Sequence, residues 1–464
     1  METQKKKKFQ LPHIYVLLFA IIVICAVLTW ILPAGQFDRA LNEQGREIVA
    51  AGTYHTVEQS TVGFFELFKC LYEGMCNASS VIMFVFIAYA FIGLIIASGA
   101  FDGLVARLLR VFKGRSKVTI IPIFVALIGL SSSTIGLNEE TFPFIPIFVG
   151  IAIAMGYDAL IGLGIVVIGT SLGYAGAFMN PFTVGTAQAI AGVPIMSGSG
   201  FRIICHILMI AVASVYMVRY ALKIEKDPTK SLVYGDPNEL AISREEVENH
   251  PFGIREKLVL LTLAAGIVIL VYGTKTFGWY FTELSALFMI MGLVSAVIMG
   301  WSPNEIAKKL SKSFASIAEA CLMIGLARGV LIVLQHGNII DTVVYGLSTP
   351  LTYMPKLVAA ECMLIVQTLL NFLIPSGSGQ AVVSMPIMAP LADLLGISRQ
   401  ISVLCFQFGD GLSNILWPTA MVPVIAGIAN IKAEKWWKWF IPLFFLLLAT
   451  QMVCIAIAVL INWA

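Results

Sequence analysis

The chain has 464 residues, 58% of them hydrophobic and only 12% charged, with a net charge of +3 at pH 7. Soluble domains carry about 25% charged residues, so the composition excludes a soluble domain and points to a polytopic membrane protein, for which no nucleic-acid partner is expected. Eight cysteines lie scattered, mostly inside apolar runs, with no CxxC and no Cys/His cluster at zinc spacing; no metal site, cofactor or required disulfide is expected.

Uncharged runs of about 20 residues mark membrane helices. The first, 12–32, is too long for the apolar core of a signal peptide. A second span is expected at 78–98, followed by a short basic interfacial helix over 99–117 with Leu104, Leu108 and Leu109 on one side. Segment 118–157 does not fit one crossing. As helix, Thr119 to Ser131 rises about 18 Å, just past the middle of a core about 30 Å thick. Ser-Ser-Ser-Thr, Gly136 and two glutamates follow, then a return helix from Thr141 to Gly156, so the segment reads as a re-entrant hairpin. The next uncharged run, 159–201, would be about 65 Å long as one helix. It is read as a span over 159–194 interrupted at Asn180-Pro181. A span at 201–221 follows, then a polar linker over 222–256, read as the hinge between halves. Spans at 257–273, 283–301 and 316–334 come next, with a second interfacial helix at 303–313. Segment 357–395 repeats the hairpin layout, its tip at 375–380 in "NFLIPSGSGQAVVSMP". The last spans are 399–430, broken at "FGDGLSNILWPTA", and 438–462.

With a cytoplasmic N-terminus and both hairpins re-entrant, 22 of the 30 lysines and arginines fall inside. They include Lys5–Lys8, those of the 219–257 loop, and Lys432, Lys435 and Lys438. Either hairpin read as a single crossing would spoil that positive-inside bias. The halves also resemble each other weakly at an offset of about 235–240 residues: "PIFVGIAIAMGYDAL" answers "PIMAPLADLLGISRQ", "AIAGVP" answers "VIAGIA", and Asn180 falls close to Asn414. The same order of elements in opposite orientation is an inverted-topology repeat, with 257–273 as the odd span.

Irregular backbone at membrane depth survives only where it lines a cavity or meets a ligand, so the four breaks mark the site. The expected substrate-binding residues are Ser132, Ser133, Thr134, Asn138, Glu139 and Glu140 at the first tip, and Asn180 and Thr183 at the first broken span. At the second tip they are Ser376, Gly377, Ser378, Gly379 and Gln380, with Asn414 and Thr419 beyond it. Glu139, Glu140, Arg328 and Asp410 are charges at membrane depth and functional candidates on that ground. Glu139, Asp410 and Ser413 are the expected ion-coupling groups, for Na⁺ or H⁺. Arg328 either fixes a carboxylate or pairs with an acidic neighbour.

"GLNEETFPFIPIFV", "NPFTVGTAQAIAG", "NFLIPSGSGQAVVSMPIMAPLADLLGISRQ" and "FQFGDGLSN", with the opening "LPHIYVLLFAIIVICAVLTWILPAGQFDR", together resemble the YfcC family of bacterial transporters. That family is grouped with the anaerobic dicarboxylate carriers of the broader ion-transporter superfamily. The resemblance covers almost the whole chain. It implies an all-α elevator-type secondary transporter, commonly a homodimer, in a bacterial cytoplasmic membrane with the N-terminus inside and the C-terminus outside. On it, 117–200 and 356–431 form a mobile transport domain, while 1–116, 201–355 and 432–464 form the scaffold. Family substrates run from dicarboxylates to arginine/ornithine exchange. Dicarboxylate relatives commonly carry Ser-Asn-Thr at both tips; here the first tip reads Asn138-Glu139-Glu140-Thr141, which counts against a dianion.

An enzyme is not expected: none of the five histidines sits beside a tip, and no HExxH is present. No GxxxxGK[ST] loop supports ATP-driven transport. Two breaks in an inverted repeat favour alternating access over a channel. The expected function is exchange or uptake of a basic or zwitterionic amino acid, with Glu139 or Glu140 on its cationic part; the alternative is cation-coupled transport of a C4-dicarboxylate or other organic anion.

Overall fold

The computed structural model describes residues 12–41, 47–50, 52–100, 103, 114–241 and 252–464. Lys5–Lys8, most of the interfacial helix expected over 99–117, and residues 242–251 of the linker lie outside the described residues.

Long apolar runs become helices because a helix satisfies its own backbone in lipid. In chain order they are α1 (Ile14–Ile31), α2 (Phe64–Asn77), α3 (Ser79–Ala97), α4 (Ile120–Ile135), α5 (Ile145–Ala154), α6 (Ala159–Ala175), α7 (Thr186–Ala191), α8 (Ser199–Lys226) and α9 (Ile254–Phe277). Then come α10 (Phe281–Met299), α11 (Pro303–His336), α12 (Ile340–Ser348), α13 (Lys356–Leu373), α14 (Gly377–Leu394), α15 (Arg399–Ser413), α16 (Val422–Ile428) and α17 (Ala433–Leu460). Two small antiparallel pairs, Gly35–Gln36 with His55–Thr56 and Arg39–Leu41 with Glu47–Val49, sit in the first inter-span segment. Neither these nor α2 was assigned from the sequence, because Glu66, Lys69 and Glu73 interrupt the apolar run there.

Among the described residues, nine helices are long and apolar enough to cross a membrane: 14–31, 79–97, 117–135, 199–226, 254–274, 281–299, 303–336, 356–373 and 433–460. The number matches the nine expected spans, but the membership differs. Segments 159–194 and 399–430 are each broken into pieces too short to cross. The first breaks at Gly176 and again at Pro181, where a five-residue π turn (Pro181–Gly185) precedes α7. The second breaks between Ser413 and Val422. In their place the first arms of the two helix–turn–helix segments reach span length. α4 runs four residues past Ser131, because the Ser133 and Thr134 hydroxyls bond back to the Leu130 carbonyl (3.0 and 2.7 Å) and leave the helix intact. The expected interfacial helix at 303–313 is also corrected. Ser302 caps a helix with Glu305 in a capping box and Pro303 in its first turn. Nothing from Asn304 to Ile324 breaks it, so α11 continues unbroken for about 50 Å.

The helices pack as two groups. α4 and α5 lie against α6 as α13 and α14 lie against α15, and α6 meets α15. At that meeting the backbones almost touch. A β-carbon at Gly411 would overlap the Ala175 amide nitrogen, and Gln407 Nε2 donates to the Ala175 and Ala177 carbonyls (2.8 and 2.7 Å). α8 packs on α4 and α6, α17 on α13 and α15, and the two on each other. The second group holds α1, α2 and α3 around α11, with α10 against α3 and α9. The groups touch where Glu139–Phe144 meets α3 and α16 meets α11. Arg202, near the start of α8, is fully buried. Its guanidinium donates to Gln407 Oε1 (3.0 Å), Gln400 Oε1 (3.0 Å) and the Ser197 carbonyl (2.9 Å), and lies over the Trp463 ring.

The described part of the linker is fastened down. Asp158 caps α6 and accepts from Tyr220 (2.7 Å) and Ser231 (2.6 Å). Lys435 holds the Leu232 carbonyl (2.7 Å) and pairs with Asp236 (3.2 Å), and Asn238 donates to the Ala429 carbonyl (2.9 Å).

Candidate substrate site at the helix breaks

At the first break, α4 ends on Gly136, whose φ of +85° suits glycine. A single tight helical segment, Glu139–Phe144, follows. The turn is held by its own polar groups. Glu140, buried, accepts from the Asn138 amide (2.7 Å), Thr141 donates to the Asn138 carbonyl (2.6 Å), and Tyr174 donates to the Gly136 carbonyl (3.0 Å). At the second break Ser376 caps α14, accepting from the Gly379 amide (3.3 Å). Asn371 ties α13 to the end of α15, donating to Asp410 O (3.1 Å), Ser413 Oγ (2.7 Å) and Asn414 Oδ1 (3.1 Å).

The two breaks face one cavity of about 120 Å³ at the boundary between the groups. Asn138, Glu139 and Glu140 line it from the first tip; Ser376, Gly377 and Ser378 from the second; Tyr174 and Asn414 from the helices behind. Arg328 of α11, Tyr280 and Val81 close it from the other group. A cavity of about 70 Å³ adjoins, sharing Glu139, Arg328 and Asn414 and adding Thr419. Arg328 has no hydrogen bond, and neither it nor Glu139 has an ion pair within 4 Å, among the described residues. The cavity thus presents a cation and an anion that attract each other without making an ion pair within 4 Å, with the start of α14 adding the partial positive charge of a helix N-terminus.

Of the expected site residues, Asn138, Glu139, Glu140, Ser376, Gly377, Ser378 and Asn414 come together here, with Thr419 in the adjoining space. The others lie outside both linings. Ser132 is buried against α6, donating to the Thr170 carbonyl (2.9 Å), and Ser133 and Thr134 belong to the last turn of α4. Gly379 lies in the first turn of α14, and Gln380 is turned to Gln367 (2.7 Å). Ser413 donates to the Gly409 carbonyl (2.6 Å). Thr183 and Asp410 are fully buried behind Gly377. Asn180 was expected in the cavity, but its side chain is spent on the fold. Its Oδ1 accepts from Phe182 N (2.8 Å) and Thr183 N (3.3 Å), and its Nδ2 donates to the Ser132 carbonyl (3.2 Å). Asn180→Ala is therefore expected to cost about 1 kcal/mol of stability, as loss of a helix cap does. The fall in unfolding temperature of the detergent-solubilised protein measures it. Tyr174, Phe182 and Tyr280 line the cavity and were missed, because an aromatic residue in an apolar run gives no polar signal.

A family model described as "DcuC: C4-dicarboxylate anaerobic carrier" matches residues 11–460. The chain is 29% identical to "Putative basic amino acid antiporter YfcC" of Escherichia coli (strain K12), over 94% of each chain. It is 31% identical to an uncharacterised protein of Haemophilus influenzae, over 98% of each. Of solved structures, the YdaH transporter of Alcanivorax borkumensis aligns over 97% of this chain and 99% of its own, with 17% identity and a TM-score of 0.45.

Proposed function

The chain belongs to the DcuC family of C4-dicarboxylate anaerobic carriers and is a multi-pass secondary transporter, not an enzyme, and we propose that it carries a basic or zwitterionic amino acid across a bacterial cytoplasmic membrane by alternating access. One observation carries this reading: Glu139 and Arg328 line the same cavity, attract each other and yet make no ion pair within 4 Å. An amino acid seated between them offers each a direct contact, its ammonium or guanidinium to Glu139 and Glu140, its carboxylate to Arg328 and the start of α14. A dianion would face two carboxylates. The name of the E. coli relative supports the same substrate class. The family's description supports the second reading, a C4-dicarboxylate held by Arg328 and the α14 N-terminus. Purified protein in liposomes decides between them. Counterflow of labelled arginine or ornithine is expected, and counterflow of succinate alone would establish the dicarboxylate.

The motion we propose is an elevator within a homodimer. The hairpin group slides against α1–α3 and α9–α12, and the cavity at the boundary changes its open side. The matching order of α4–α6 and α13–α15 supports an inverted repeat. α8 and α17 pack on the hairpin group, so on this reading they travel with it, unlike the scaffold role that the family resemblance implied for 201–355 and 432–464. Membrane orientation has its own test. Tyr353 and Leu394, at the two ends of the second hairpin, are 87% and 83% exposed. In a background lacking Cys76, which is exposed, Tyr353→Cys and Leu394→Cys should both label from outside the cell. Labelling from opposite faces would make 357–395 a crossing and end the inverted repeat.

A further inference from the structure

Outside the substrate site, a groove of about 820 Å³ runs between α4 and α8. Both helices are long and apolar enough to cross a membrane. α8 lines the groove with two adjacent rows of residues four apart, one of them Ile207, Ala211, Val215 and Arg219. Ala211, and Ala126 on α4, are small and leave the room; Ile207, Val215 and Leu130 are exposed along it. Polar groups gather toward one end. Arg219 stands there, exposed, with no hydrogen bond or ion pair among the described residues. Lys223, one turn further along the same row, is also exposed and without a partner among them. Ser214 lines the groove between Arg219 and the deep end, and its side chain is buried. A helical serine ordinarily bonds back to the preceding turn, but the Ser214 hydroxyl has no partner among the described residues.

We propose that this groove seats an anionic glycerophospholipid, its phosphate on Arg219, an ester carbonyl on Ser214 and one acyl chain lying between α4 and α8. The lining of α8 runs from His206 to Arg219, about 20 Å of helix. One leaflet is half of a core about 30 Å thick, so the groove is long enough for the chain of a single lipid. Ser214 stands about 7.5 Å below Arg219 along the helix, at the level where the ester carbonyls hang beneath a phosphate held by the arginine. A carbonyl there accepts the hydroxyl proton that α8 itself leaves unused. Arginine reaches a headgroup while its stem stays on the apolar wall, and its guanidinium takes two phosphate oxygens at once. Two unpaired cations in one row favour a headgroup of net negative charge over a zwitterionic one. A protein partner would have to bring an apolar ridge and an anion in the right register; a phospholipid carries both. The lipid braces the first arm of the first hairpin against α8, and its binding makes no use of the substrate reading above.

The test is native mass spectrometry of the purified, delipidated full-length protein in detergent, titrated with dioleoylphosphatidylglycerol or dioleoylphosphatidylethanolamine. The first phosphatidylglycerol is expected to bind wild type about tenfold more tightly than the first phosphatidylethanolamine. Arg219→Gln should weaken phosphatidylglycerol about tenfold, the loss of a charged hydrogen bond, and erase the preference. Ser214→Ala should weaken both lipids by about twofold to tenfold, the loss of a neutral one. Ala211→Trp fills the groove and should remove the tight first binding event altogether. Arg219 and Ala211 are exposed, so both variants should elute as wild type does; if Ala211→Trp does not fold, Arg219→Gln decides. Equal affinity of wild type for the two lipids, or wild-type affinity in Arg219→Gln, overturns the proposal. So does a change of oligomeric state in Ala211→Trp with lipid binding intact, which would give the groove to a second copy of the chain.

Discussion

Glu139→Gln is expected to abolish counterflow of a basic amino acid while leaving the protein folded. Glu139 is the carboxylate at the first tip that lines both cavities and has no ion pair within 4 Å among the described residues. Truncating one partner of a buried, hydrogen-bonded charge pair costs about 2–5 kcal/mol, so substrate affinity should fall by roughly thirtyfold or more. Gln is nearly isosteric, so elution and unfolding temperature should stay close to wild type. Counterflow without a proton gradient separates two roles. Its loss identifies a substrate contact. Its survival with loss of gradient-driven uptake identifies a proton carrier. Preservation of both would return Glu139 to a structural role.

Gly411→Ala is expected to be strongly damaging for so small a substitution. Its β-carbon would enter the backbone of Ala175, where α15 meets α6, and backbone cannot rotate aside as a side chain can. Overpacking of this kind costs about 1–3 kcal/mol, occasionally more; with two long helices to displace, the upper end is expected. The result should be a large fall in unfolding temperature or no folded protein. Gly346→Ala in α12 is the control. Nothing lies within 4 Å of its added carbon, so its unfolding temperature should match wild type.

The residues that break a helix were legible in the sequence, and those that merely line a space were not. Asn180-Pro181, Gly136 and Pro375 announced themselves because proline lacks a donor and glycine permits a left-handed turn; the tip read over 375–380 is shorter than expected, since Gly377, Gly379 and Gln380 lie in the first turn of α14. Ser132, Ser133 and Thr134 misled for a physical reason. A hydroxyl in a helix can return its hydrogen bond to the preceding turn, as Ser133 and Thr134 do with Leu130, so a run of serines does not by itself open a helix. Asn180 misled differently: its position beside a break was read correctly, but all its bonding capacity is used in making the break. Tyr280 lay beyond any local pattern, since only tertiary packing carries it to the cavity from the α9–α10 connection. The choice between Glu139 and Asp410 was equally hidden. Both are membrane-depth carboxylates in sequence, and only folding shows that one faces the cavity and the other the back of α14.

The buried Arg202 sets a constraint on the order in which the protein can be made. Its side-chain partners, Gln400 and Gln407, are encoded about 200 residues later, and the ring beneath it, Trp463, later still. While the ribosome is still translating the second half, the first half already holds a guanidinium whose only finished partner is the neighbouring Ser197 carbonyl. A charge in that condition is costly in hydrocarbon. α8 therefore has reason to wait at the water-facing edge, or beside the insertion machinery, until α15 and Trp463 arrive. The first half on its own is an unfinished object, and Arg202 is fully partnered only once Gln400, Gln407 and Trp463 are in place.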